Sequence, residues 1–124
     1  MKQRTLGRSG LKVSVIGLGC NNLGARIDDN AAKAVVHKAL DIGITMFDTA
    51  DHYGEQGGSE TLLGQLLGER RKDIVLATKF GLQMDQKGWL FGTSRRYVMS
   101  AVEASLKRLN TDYIDLYYLH RPDG

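Results

Sequence analysis

Apolar segments of this 124-residue sequence end in ionisable side chains. Asp48 closes one segment, Lys79 closes the next and His120 follows a later one, while Tyr53 lies five residues after Asp48. If the segments are parallel strands of a barrel, their carboxyl ends open on one face and bring the four side chains together. A carboxylate, an ammonium, a phenol and an imidazole on one rim are the groups that a proton-transfer site requires. The pattern therefore predicts such a site.

Other kinds of site find less support in the sequence. No Cys and His residues have the spacing of a zinc site, and the sequence contains neither a G-x-S-x-G elbow nor a P-loop. His52 is next to Tyr53, but its neighbours give no spacing argument for a role. The basic run Arg70-Arg71-Lys72 falls on the rim opposite the predicted site, where we expect a solvated turn.

Composition narrows the class of protein. Apolar residues make up 42% of the chain and charged residues 25%, which describes a globular domain. A net charge of +3 without long basic blocks gives no case for nucleic-acid or membrane binding. Cys20 is the single cysteine, so an internal disulfide is excluded and a reducing, cytoplasmic compartment is expected.

A regular alternation of strands and helices must position the candidate residues. Near-continuous apolar runs typical of buried parallel strands occupy residues 13–18, 44–48, 74–79 and 113–119. Apolar stripes between them predict three helices, capped by Asp28 or Asp29, Ser59 and Ser94 and ending at Gly43, Gly68 and Asn110. We expect these stripes, Val35 included, to form the core.

The spacing of the strands indicates the architecture. Their starts are 31, 30 and 39 residues apart, close to the size of one βα unit. A loop over 81–93, which contains Trp89, accounts for the longer interval, and residues 2–13 predict a small hairpin. A (β/α)8 barrel competes with a doubly wound sheet. Gly17-Leu18-Gly19 begins a dinucleotide fingerprint, but Asn22 stands at its third glycine position, so the barrel is favoured.

Longer motifs run through almost the whole chain. They are Leu6-Gly7-Arg8-Ser9-Gly10-Leu11-Lys12-Val13-Ser14, Gly17-Leu18-Gly19, Phe47-Asp48-Thr49-Ala50-Asp51-His52-Tyr53-Gly54, Gly58-Ser59-Glu60, Ala77-Thr78-Lys79-Phe80-Gly81, Ser105-Leu106-Lys107-Arg108-Leu109, Asp112-Tyr113-Ile114-Asp115-Leu116 and His120-Arg121-Pro122-Asp123. In these the chain resembles the aldo-keto reductase superfamily, most of all its bacterial members and, more distantly, the potassium-channel β subunits.

The resemblance implies a (β/α)8 TIM barrel that reduces aldehydes or ketones with a nicotinamide cofactor, usually NADPH, with NADH left open. It implies that Tyr53 is the general acid, that Lys79 and Asp48 support it, and that His120 binds the carbonyl oxygen. It also implies cofactor contacts at Cys20, Asn21, Arg26 and Asp48, and substrate contact at Trp89. No metal is expected.

The 124 residues of the chain are too few for a complete barrel, because a full barrel needs about 250 residues. Residues 1–124 are therefore expected to be the N-terminal half of the barrel domain, with four strands, three helices and two open sheet edges. Three hypotheses follow: a piece of a reductase, a half-barrel that self-associates through its open edges, and a non-catalytic or partner-binding module like the channel subunits. A small carbonyl compound is the expected substrate in the first two.

Overall fold

The structure is a computed structural model that describes residues 1–85 and 88–122, without the side chains of residues 83–91. Besides a 3-10 helix at Gly68–Asp73, it contains eight strands and three α-helices within those residues. They are β1 (Gln3–Thr5), β2 (Lys12–Ser14), β3 (Gly17–Gly19), α1 (Asp29–Asp41), β4 (Met46–Asp48), α2 (Tyr53–Leu67), β5 (Val75–Phe80), β6 (Leu82–Asp85), β7 (Gly88–Phe91), α3 (Arg95–Leu109) and β8 (Leu116–Leu119).

The central element is a parallel sheet in the order β3-β4-β5-β8. Neighbouring strands follow chain order, and the described part of the sheet has no reversal of the kind that marks a doubly wound fold. Phe47, Leu63 and Leu76 are fully buried between the sheet and the helices. The predicted succession of βα units is confirmed, as is the antiparallel hairpin of β1 and β2 that precedes it.

Two of the three predicted helix caps are confirmed. Asp28 accepts a hydrogen bond from the backbone N–H of Ala31 at 2.8 Å, and Ser94 accepts one from Tyr97 at 3.2 Å. Each cap satisfies a backbone donor that the first turn of a helix leaves free. The expectation that Val35 belongs to the core is wrong, since 43% of its surface is exposed at the open edge of the sheet.

The predicted first strand over 13–18 is two separate strands. Its first residues belong to the hairpin, Val15 and Ile16 form an exposed bend, and the parallel sheet begins only at Gly17. The reason is Ser14, whose side-chain oxygen accepts the backbone N–H of Thr45 at 2.9 Å and donates to the Ile16 carbonyl at 2.6 Å. A side chain thus replaces the backbone ladder there, which a β-branched pattern does not reveal.

Three further expectations need correction. Ser59 is not a cap, because its buried hydroxyl donates to the Cys20 carbonyl at 2.8 Å. The loop over 81–93 contains the hairpin of β6 and β7. Arg71 is not solvated: its guanidinium donates to the Asp115 carboxylate at 2.8 Å and lies 4.0 Å from the centre of the Tyr113 ring. A charged group buried with a partner of this kind anchors the amino-terminal side of the sheet.

Helices α2 and α3 pack closely at Gly64. A β-carbon added there would lie 2.5 Å from the backbone oxygen of Arg108 and 2.7 Å from the backbone carbon of Leu109. Backbone atoms cannot give way as a flexible side chain can, so the contact requires glycine. Among the described residues, none of the helices is both long and apolar enough to cross a membrane.

We predict that Gly64→Ala lowers the free energy of unfolding by about 2 kcal/mol or more, because the methyl group forces the two helices apart. Urea unfolding followed by circular dichroism measures the loss. Gly19→Ala is the matched control, because an added β-carbon there meets no atom within 4 Å. Equal stability of the two variants would contradict the close packing of α2 on α3.

Candidate active site

Lys79 and Asp48 form an ion pair at the carboxyl ends of neighbouring strands. The Lys79 Nζ donates to Asp48 Oδ2 at 2.8 Å and to the Thr49 carbonyl at 2.7 Å. The parallel register sets Asp48 opposite Ala77, two residues before Lys79, so the longer lysine side chain reaches back to the carboxylate. Only 15% of the Lys79 side chain is exposed, and its two acceptors hold the ammonium in one position.

Tyr53 lies beside this ammonium. The Lys79 Nζ is 4.9 Å from the centre of the Tyr53 ring. The backbone of the preceding turn fixes the position of the tyrosine, since the N–H of Asp51 donates to the Lys79 carbonyl at 3.1 Å and the N–H of Tyr53 to Ala50 at 3.2 Å. At this distance the ammonium and the face of the ring are within the range of a cation–π contact.

His120 completes the rim from the end of the fourth strand of the sheet. Its backbone N–H donates to the Phe80 carbonyl at 2.7 Å, and its ring meets the Tyr53 ring edge-on at a centroid distance of 5.7 Å. Burial lowers the pKa of His120 below its usual 6.5, and the positive charges of Lys79 and Arg121 lower it further, while Asp48 opposes them. The imidazole is therefore mainly neutral at pH 7.

The segment after Tyr53 has an unusual backbone. Residues 54–57 all have positive φ, and Glu55 and Gln56 are not glycines. A β-carbon on Gly54 would lie 2.5 Å from the Leu23 carbonyl oxygen, so this turn packs backbone against backbone on the segment that follows β3. Left-handed conformations of non-glycine residues cost about 1 kcal/mol or more each, and such strain is commonly found beside functional groups.

The four residues predicted for proton transfer thus come together on one rim. The residues predicted for cofactor binding differ in how far they are buried. Cys20 is fully buried, its N–H donates to the Asp48 carbonyl at 2.8 Å, and burial raises its pKa to about 12. Asn21 and Arg26 are exposed in the turn after β3. The Trp89 side chain lies outside the described residues. The roles of all these residues stay predictions.

The sequence patterns did not predict a buried charge network behind the rim. Glu60 is fully buried and accepts hydrogen bonds from the Thr78 hydroxyl at 2.5 Å and the Arg108 Nε at 2.7 Å. It thereby joins α2 to both β5 and α3. One feature of the sequence could have indicated the burial of Glu60. This residue lies three positions before the core residue Leu63 and is therefore on the buried face of the helix.

Asp51 and His52 lie between that network and the rim. The pKa of Asp51 is raised to about 6, first by burial and then by the charge of Glu60. The pKa of His52 is lowered to about 4, first by burial and then by His120 and Lys79. The His52 Nδ1 and Asp51 Oδ1 are 3.6 Å apart. Because the imidazole is neutral at pH 7, this contact is not a salt bridge there.

Comparison with known proteins identifies the class. The model of the Aldo/keto reductase family matches residues 15–124. The uncharacterized oxidoreductase YqkF of Bacillus subtilis (strain 168) is 45% identical over 97% of this chain and 39% of its own length. A probable voltage-gated potassium channel subunit beta of Arabidopsis thaliana is 40% identical over 100% of this chain and 38% of its own length. The solved structure of aldo-keto reductase AKR11C1 from Bacillus halodurans (holo form) aligns with a TM-score of 0.89 and 47% identity, over 96% of this chain and 40% of that one.

The chain therefore belongs to the aldo/keto reductase family. This confirms the resemblance and the fold class, since the four parallel strands and three helices are the N-terminal part of a (β/α)8 barrel. The chain spans about two fifths of the length of these relatives.

We predict that Asp51→Asn stabilises the chain by roughly 1–3 kcal/mol at about pH 8, and that this gain disappears as the pH falls to about 4. Between pH 3.8 and about pH 6, the Asp51 carboxyl group is ionised in the unfolded chain but protonated in the folded chain. Folding in this pH range therefore takes up a proton. Above that window, the wild-type fold must bury a charge that asparagine lacks. Thermal unfolding of both proteins across this range measures the difference, and a gain independent of pH would contradict it.

Proposed function

We propose that this chain carries the proton-transfer half of an NAD(P)H-dependent oxidoreductase that reduces aldehydes or ketones to alcohols. The observation that carries the proposal is the position of the Lys79 ammonium, 2.8 Å from the Asp48 carboxylate and 4.9 Å from the centre of the Tyr53 ring. A proton donor, a cation that stabilises its conjugate base and a neutral imidazole then face the same space. Membership of the aldo/keto reductase family supports this choice of chemistry.

Groups suited to a nicotinamide cofactor lie next to that rim. Asp48 keeps 38% of its side chain exposed although Lys79 binds it, and Asn21 is exposed after the neighbouring strand. A carboxylate and an amide are suitable partners for ribose hydroxyls. We propose that these two residues, with Arg26 and the backbone at Cys20, hold the nicotinamide half. When bound, the cofactor supplies the hydride.

The residues of the chain would then handle the proton. Tyr53 Oη donates it to the carbonyl oxygen as negative charge develops there, and the nearby Lys79 ammonium stabilises the phenolate that remains. Asp48 and the Thr49 carbonyl keep the ammonium in place. The neutral His120 ring lies beside Tyr53, where its other nitrogen, Nε2, would orient the substrate oxygen, since Nδ1 is buried.

The substrate class is a small carbonyl compound, and NADPH is the cofactor expected from the resemblance. Trp89 lies on β7, in the hairpin that follows β5, and we propose that it contacts the substrate. A cytoplasmic location, suggested by the single cysteine, is part of the same proposal.

We predict that Tyr53→Phe lowers the turnover of an aromatic aldehyde such as para-nitrobenzaldehyde by about 100-fold or more, because the general acid is lost. NADPH binding, followed by nicotinamide fluorescence, is expected to stay within about twofold, since the ring is retained. Absorbance of NADPH measures turnover. Tyr113→Phe is the matched control, because Tyr113 lies at the opposite end of the sheet, near Arg71.

Full turnover by Tyr53→Phe would show that the assigned general acid is wrong. A wild-type chain that binds no NADPH at millimolar concentrations would instead contradict the proposal that this chain itself holds the nicotinamide half.

The second candidate is a non-catalytic, partner-binding module, favoured by the 40% identity to the probable potassium channel subunit beta. The complete set of Asp48, Tyr53, Lys79 and His120 supports the enzyme, because a surface used only for docking has no need of that arrangement. Turnover that is lost in Tyr53→Phe would favour the enzyme over the partner-binding module.

We also propose that the chain pairs with a second copy through its open edges. Strands β3 and β8 are the outer strands of the sheet, and unpaired strand edges favour association. Beside β3 lies an apolar groove lined by Leu18, Val35, Ile42 and Ile44, in which 43% of Val35 and 47% of Ile42 are exposed.

We predict a dimer by sedimentation equilibrium at micromolar concentrations, and its dissociation in Val35→Lys, which brings a charge into the apolar groove. Met99→Lys is the matched control, since Met99 is similarly exposed but lies on α3. A monomeric wild-type chain would refute the pairing.

A further inference from the structure

Three rings form a triangle at the rim, and one of them has no role in the proposed proton transfer. The centre of the His52 ring is 4.9 Å from that of Tyr53 and 4.6 Å from that of His120. Tyr53 and His120 are 5.7 Å apart. His52 is therefore closer to each of them than they are to one another, and its ring fills the space beside both.

His52 also lines an open cavity of about 290 Å³ between α2, α3 and Leu82 on β6. Polar side chains that line it include Asp51, Tyr97 and Arg108. The same imidazole thus contributes to the wall of this cavity and contacts the ring of His120. The cavity is large enough for several water molecules.

The Asp51 carboxylate lies beside the imidazole of His52. Its Oδ1 is 3.6 Å from His52 Nδ1, and only 10% of the Asp51 side chain is exposed. The backbone N–H of Asp51 donates to the Lys79 carbonyl at 3.1 Å, which ties the turn to the strand that carries the catalytic lysine. This backbone hydrogen bond fixes the turn from which the His52 side chain projects.

The charged groups around these residues come from several elements. Lys79 on β5, Arg121 after β8 and Asp48 on β4 act on His120, and the first two also act on His52. On the other side, Glu60 on α2 and Arg108 and Tyr97 on α3 act on Asp51. All of these groups are side chains of other residues, so a substitution of His52 does not remove any of them.

We propose that His52 is a positioning residue, whose ring fixes the separation of Tyr53 and His120 and keeps the water of the adjacent cavity away from His120. This rests on the proposed function, in which those two rings handle the proton and orient the substrate. His52 acts through its volume and its ring rather than through proton transfer of its own.

The test is the titration of His120, followed by the imidazole C–H signals of the three histidines in proton–carbon correlation spectra. In His52→Ala the cavity opens onto the rim, so His120 is better hydrated and its pKa rises toward the ordinary 6.5. In His52→Phe a ring of similar shape remains, and the pKa of His120 stays low as in the wild type. His37→Ala is the matched control, since His37 lies on α1.

The proposal would be overturned if the pKa of His120 were the same in His52→Ala as in the wild type. It would also be overturned if His52→Phe failed to keep that pKa low. Should alanine unfold the chain, His52→Ser takes its place, because serine also removes the ring and most of the side-chain volume but keeps a polar group at the cavity wall. We expect a rise in the pKa of His120 in that variant too, and no rise would again refute the inference.

Turnover gives a second readout that separates this inference from the proposed function. With an active chain, His52→Ala is expected to lower kcat about tenfold with less change in the KM for NADPH, and His52→Phe to recover most of it. An inactive wild type would contradict the proposed function, whereas the His120 titration would still decide whether His52 keeps water from that ring.

Discussion

The parallel register of β4 against β5 is the constraint on which the site depends. Asp48 lies opposite Ala77, which places the ammonium of Lys79 within 2.8 Å of the carboxylate and beside the Tyr53 ring. A slip by one residue would turn Lys79 to the other face of the sheet and break the pair. Burial of Phe47 and Leu76 on the helix side opposes such a slip, so the packing of the core also fixes the geometry of the rim.

A second set of charges keeps the helices against that sheet. Glu60 is bound by Thr78 on β5 and by Arg108 on α3, next to the glycine contact between the helices. Burying a carboxylate is costly, and removing either partner of such a pair leaves an uncompensated charge. The hydrogen bonds from Thr78 and Arg108 offset part of the cost of burying the Glu60 carboxylate. Its negative charge is also felt by Asp51, so the outer layer and the rim are electrostatically coupled.

Much of this arrangement was predictable because local signals agreed with the fold. Asp48, Lys79 and His120 mark strand ends, and the period of the βα units alone places such ends on one rim. Side chains that substitute for backbone groups were not predictable. The oxygen of Ser14 divides an apparent strand, and the buried guanidinium of Arg71 lies in what reads as a solvated basic run. Such choices depend on partners more than 30 residues away, which no local pattern contains.

Cys20 lies where the first strand of the sheet meets the rim, and its burial has a consequence for reactivity. Its thiol has a pKa raised to about 12, and its backbone N–H is bonded to the carbonyl of Asp48. A thiol so buried reacts with alkylating reagents only when the surrounding structure opens, because the thiolate is the reactive form. The rate at which Cys20 is alkylated therefore measures how often the structure around it opens next to the site.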